Sequence, residues 1–128
     1  MIGLVYLAWA PLGPEEPRRF LASYREHDAG AEHELVVLLN GVAAASGDPA
    51  AARAEVLGAL HEVPHRVIEV DPPRIDLAAY GEAARRLEHS HLCFLNSYAE
   101  VLVDGWLGHL ERALAQPGVA MAGATGSW

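Results

Sequence analysis

Wherever a short apolar run ends in this chain, the next residues are of types that can hold a ligand. Asn96, Ser97 and Tyr98 close the run HLCFL. Their amide and hydroxyls can bond a bound molecule or turn back on their own backbone. Glu100 is the nearest acid, two positions beyond Tyr98. Asp76 opens an amphipathic stretch. It either caps a helix, worth about 1 kcal/mol, or bonds a base, ribose or sugar hydroxyl while Arg85 or Arg86 approaches a phosphate. Trp9 ends the first apolar run. A flat indole there can stack on a nucleobase or pack against the next helix. Asn40 precedes Gly41, so it can bond a base or ribose, or simply begin an Asn-Gly turn.

Several chemistries are excluded by what is missing. All nine basic residues are arginine, which removes a Schiff-base lysine and the lysine of a P-loop. The single cysteine, Cys93, lies inside an apolar run, the setting of an inert buried thiol, and it rules out a disulfide within the chain. His89 and His91 can share one side of a strand, and His61 and His65 are four apart. Pro64 breaks a helix between the second pair, and no third ligand sits at metal-site spacing. There is neither a Gly-x-Ser-x-Gly elbow nor a Gly-x-Gly-x-x-Gly fingerprint, against a serine hydrolase and a dinucleotide enzyme. No paired acids follow the first apolar run, against a phosphoacceptor receiver.

Positioning these residues requires an alternation of strands and helices. Residues 2–8 read as a first strand, ended by Pro11 and Gly13-Pro14. A helix is expected over residues 15–27, with Phe20, Leu21 and Tyr24 on one face. Residues 34–40 form a second strand, continuous in Leu and Val as for a strand covered on both sides. Asp48-Pro49 starts a second helix, with Val56, Leu57 and Leu60 as its buried stripe. Residues 66–70 form a third strand, closed by Asp71-Pro72-Pro73. Asp76 caps a third helix carrying Leu77, Tyr80, Ala84 and Leu87 inward. Residues 91–96 form a fourth strand, residues 104–115 a fourth helix and residues 119–124 a fifth strand. The pattern implies one α/β domain over residues 1–128, a mostly parallel sheet with helices on both faces. Ligands in such sheets bind outside the carboxyl ends of the strands, near a topological switch point. That rule picks out four places: residues 9–11, Asn40-Gly41, Asp71, and residues 96–98.

Composition agrees with a globular domain: 52% of the 128 residues are hydrophobic and 20% charged. A net charge of −8 argues against a nucleic-acid or anionic-membrane surface. No apolar run approaches the roughly 20 residues of a membrane span, and the N-terminus lacks the basic flank of a signal peptide. A cytoplasmic location is the default expectation.

Two stretches carry a family resemblance: VYLAWAPLGPEEPRRFLASY with ELVVLLNGV, and DLAAYGEAARRLEHSHLCFLNSYAEVLVDGWLGHLERALAQPGVAMAGATGSW. The second is the more specific: a polar loop after a strand, a Gly-Trp-Leu helix start, then Pro-Gly-Val leading into a Gly-ending strand. The chain resembles bacterial family-2-like glycosyltransferases of the GT-A type, and more loosely the domain of rhamnan-synthesis-type transferases. The resemblance implies a Rossmann-like three-layer α/β/α sandwich and a nucleotide-diphosphate-sugar donor cradled at the ends of strands one, two and four. By position, Trp9 and Pro11 match the family's base-contacting first loop. Asn40 matches a position that is commonly aspartate, Asp76 lies before the fourth strand, and Asn96 with Ser97 matches the acidic motif that holds a divalent ion (Mg or Mn). Two of those positions are neutral here, so metal dependence is not expected to follow the family. The family's domain is also about twice this length, and no catalytic base can be assigned. The implied state is the donor-binding front half, truncated, with an exposed sheet edge open to self-association. The alternative is a non-catalytic α/β binding or assembly module. Another doubly wound nucleotide-binding domain would require a glycine-rich phosphate loop, which is absent.

Overall fold

A computed structural model describes residues 1–124. Four parallel strands form one sheet: β1 (Ile2–Trp9), β2 (His33–Asn40), β3 (Arg66–Val70) and β4 (His91–Leu95), in the order β3-β2-β1-β4. Between and after them run α1 (Glu15–Glu26), α2 (Pro49–Ala59), α3 (Asp76–Arg86) and α4 (Trp106–Leu114). The expected α/β class, a Rossmann-like three-layer sandwich, is the class observed. β1 and β2 are the central strands, which is why they are the most continuously apolar.

The alternation of side chains sorts the two faces. Leu4, Tyr6 and Ala8 of β1 join Leu35, Val37 and Leu39 of β2 beneath Phe20 and Leu21 of α1, Val56 of α2 and Leu60 just after it. Val5, Leu7, Val36, Leu38, Ile68 and Val70 face Ala79 and Ala83 of α3 and Leu87 just after it. Chain direction explains the division. The first two crossovers step from β1 to β2 to β3, whereas the third steps back across the sheet to β4. Crossovers of constant hand must then place α3 on the opposite face. The reversal leaves the switch point between β1 and β4.

Three expectations are corrected. Asp76 is the first helical residue of α3 and not its cap; Ile75 takes the cap position, and no side chain bonds there. The buried stripe of α3 is Ala79, Ala83 and Leu87 with half-buried Tyr80, while Leu77 and Ala84 are exposed. Small alanines let the helix lie close over Val36 and Leu38, and that approach rotates Leu77 out to the rim. Residues 119–124 form no strand; Met121 is among their exposed side chains. Alanine and glycine dominate the segment and offer little side-chain surface to pack on a pleated face. Asp48, by contrast, caps α2 as expected, accepting from the Ala50 N–H at 3.2 Å.

The docking of α4 depends on glycines. Leu107 and Gly108 N–H groups both donate to the Ala29 carbonyl at 3.0 Å, and Gly105 N–H donates to Asp28. A Cβ on Gly108 would lie 2.7 Å from the Gly30 carbonyl oxygen, a backbone atom that cannot swing aside. Gly108→Ala is therefore expected to destabilise the fold by about 1–3 kcal/mol. Urea unfolding measures the loss, and amide exchange should accelerate first in α4.

Candidate functional site

The strands end at the same side of the sheet, and the segments leaving them enclose an open cleft of about 600 Å³. Trp9, Leu12, Pro73, Arg74, Ile75, Asp76, Asn96, Ser97 and Tyr98 line it. It sits over the β1/β4 switch point, on the α3 face, where a doubly wound sheet leaves its natural crevice. Its volume lies within the range of about 300–1,000 Å³ usual for small-molecule sites.

Two buried polar side chains build the cleft. Beyond the last β1–β4 pair, Tyr6 with Leu95, β1 continues while β4 stops. Leu7 and Trp9 thereby lose backbone partners on that side. Ser97, 6% exposed, supplies them: its hydroxyl donates to the Leu7 carbonyl at 2.8 Å and accepts from the Trp9 N–H at 3.3 Å. Tyr6 donates its phenol to the Ser97 carbonyl at 2.9 Å, and burial raises the phenol's pKa, with a smaller contribution from the Glu16 charge. Asn40, fully buried at the end of β2, acts likewise. Its Nδ2 donates to the Arg74 carbonyl at 2.7 Å, and its Oδ1 accepts from the Arg74 N–H at 3.1 Å. The amide imitates one more rung of sheet, and so fixes the segment between β3 and α3 as the cleft's wall.

The sequence-derived candidates thus divide. Trp9, Asp76, Asn96 and Ser97 are brought together at the cleft. Asn40 lies beneath its wall with both amide ends engaged, so it positions Arg74 and does not reach a ligand directly. Pro11 borders a separate hollow of about 160 Å³, with Asp48 and Glu55 across it. Asn96 accepts from the Tyr98 N–H at 2.9 Å, the local turn its residue type favours, which leaves its Nδ2 for a ligand. Trp9 packs its ring over Gly41, and strand alternation from Val5 and Leu7 puts it on the α3 face of β1.

Arg85 and Arg86 do not approach the cleft. They lie in the last turn of α3, roughly 14–15 Å along the helix from Asp76 at about 1.5 Å per residue, and both bond Glu82. Hydrogen bonds from Arg85 and then Arg86 hold the Glu82 carboxyl below its ordinary range. The cation at the cleft is Arg74 instead. Its signal in the sequence is its place in the loop leaving β3, on the rim that the switch-point rule selects. Leu12 and Ile75 of the lining have no signal in the sequence, since exposed apolar side chains give no periodicity, whereas Tyr98 lies in the 96–98 stretch already singled out.

Magnesium or manganese prefers oxygen ligands, carboxylates above all. The cleft offers Asp76 alone as a carboxylate, while the Ser97 hydroxyl and the Asn96 Oδ1 serve the backbone. Among the described residues no three His, Cys, Asp or Glu side chains converge. This donor set is too sparse to hold a divalent ion by itself. Cys93 offers no nucleophile, because burial pushes its thiol up to about 11.

Comparison of the chain with protein-family models, with curated proteins and with solved structures finds no match.

Proposed function

We propose that the chain is a glycosyltransferase-like domain whose cleft binds a nucleotide-diphosphate sugar donor. One observation carries the reading: an indole, a carboxylate and a free amide nitrogen converge on a single cleft at the β1/β4 switch point. Trp9 presents an aromatic face for a base. Asp76 accepts from ribose or sugar hydroxyls, and Asn96 Nδ2 donates to carbonyl or hydroxyl oxygens. No described residue is assigned as the base that would activate an acceptor hydroxyl, so the proposal is for donor binding.

Titration with a panel of nucleotide sugars, read by amide NMR, tests it. Shifts are expected at Trp9, Asp76 and Asn96, and Trp9→Ala should weaken binding by about 1–3 kcal/mol, the usual value of base–aromatic stacking. Absence of shifts around the cleft with every donor would remove the proposal.

A second reading, an assembly module keeping the fold without chemistry, is favoured by the outer side of β4. β4 is an edge strand of the described sheet, and an edge leaves backbone groups open to pairing with a second chain. A strictly monomeric chain that binds a donor tightly would speak against it.

A further inference from the structure

We infer that the anionic charge of the cleft's ligand is met by the Arg74 guanidinium and not by a divalent ion. The inference rests on the donor-binding reading, since the charge in question is that of a diphosphate. Three independent observations carry it.

The first is the mismatch of donors. Asp76 is the one carboxylate lining the cleft, and the Ser97 hydroxyl and Asn96 Oδ1 are already engaged by the backbone, so the protein itself offers a divalent ion a single anionic ligand. The second is the economy of charge across the molecule. Acids outnumber bases, 17 to 9, and Arg19, Arg25, Arg53, Arg66, Arg85 and Arg86 each pair with a glutamate. Arg18, Arg74 and Arg112 are in none of the ion pairs found among the described residues, and of these three it is Arg74 that lines the cleft. In so acidic a chain a cation left without a carboxylate is available to an anionic ligand. The third is rigidity. Both backbone polar groups of Arg74 are held by the fully buried Asn40 amide. The main chain of Arg74 is therefore fixed at the cleft wall, within side-chain reach of a bound ligand, and a planar fork of donors suits phosphate oxygens in pairs.

Because only its backbone supports the wall, the Arg74 side chain can be changed with the fold intact. UDP, GDP, ADP and CDP, the corresponding nucleosides and inorganic pyrophosphate are titrated by calorimetry in EDTA, then with excess Mg²⁺ or Mn²⁺. The tightest diphosphate is expected to bind equally, within about twofold, in all three conditions. R74Q should weaken it about tenfold or more in each, while R85Q, whose partner is Glu82, should change nothing. A tenfold gain on adding either metal, or unchanged binding by R74Q, would overturn the inference and leave nucleotide binding standing. Pyrophosphate binding that R74Q abolishes, with no added affinity from any nucleoside, would uphold the anion site and remove the nucleotide reading. Silence from every probe removes both.

Discussion

Asn40→Ala is expected to destabilise the fold by about 2–4 kcal/mol and to abolish binding at the cleft. The substitution deletes two hydrogen bonds of 2.7 and 3.1 Å and strands the Arg74 N–H and carbonyl beside a fully buried position. An unsatisfied buried group costs about 1–3 kcal/mol, more than the bond itself contributes. Urea unfolding measures the loss. Asn40→Asp makes a sharper test. One carboxylate oxygen can still accept from the Arg74 N–H, but the other faces the Arg74 carbonyl oxygen and repels it unless protonated. The folded state then holds the proton more tightly than the unfolded chain, so the carboxyl's folded pKa is raised. A raised acid pKa means full stability below the unfolded value of about 3.9 and loss as pH rises toward the folded one. Measured against the wild type at each pH, N40D should be close to it in acid and fall progressively behind toward neutrality. A constant deficit across pH would show that the two oxygens are not placed as described.

Gly41→Ala should have the second largest effect, about 3 kcal/mol, and should also displace Trp9 from the cleft. Gly41 adopts φ +82°, where a Cβ costs about 1–2 kcal/mol. Its Cβ would also fall 2.6 Å from Trp9 Cε3 and 2.8 Å from Cη2, an overpacking cost of about 1–3 kcal/mol. Either the strand end or the indole must move. Tryptophan fluorescence of folded G41A should shift relative to the wild type, and nucleotide affinity should fall with it. Unchanged affinity would mean that the indole's place over Gly41 is irrelevant to binding.

Asn40 and Gly41 read in the sequence as an Asn-Gly turn or as a ligand contact. They turn out to be the support for other residues. The asparagine was legible as important because it ends a strand at the rim. Its partner was not, for Arg74 is thirty-four residues away and the bond goes to backbone, which no side-chain pattern reveals. Ser97 is a similar case. A polar residue after a strand suggests ligand contact, yet its hydroxyl completes the hydrogen bonding of a strand ninety residues earlier. Asp76 and Trp9 kept their expected places at the cleft because the strand and helix ends that carry them were themselves well marked.

Apolar runs, punctuation by proline and glycine, and the Asp48-Pro49 cap sufficed to determine an alternating α/β chain and the side of the sheet to search. Those are local properties, written in the spacing of side chains along one element. Only the tertiary structure decided which rim residues line the cleft and which hold the rim together, which arginine stands at the cleft, and that residues 119–124 lie outside the sheet. Each of those outcomes depends on what a distant segment leaves unsatisfied: a carbonyl on β1, an N–H after β3, an edge on β4. A hydrogen bond goes to whichever partner the packing of the other elements brings within about 3 Å, and that proximity is not encoded in any single stretch of chain.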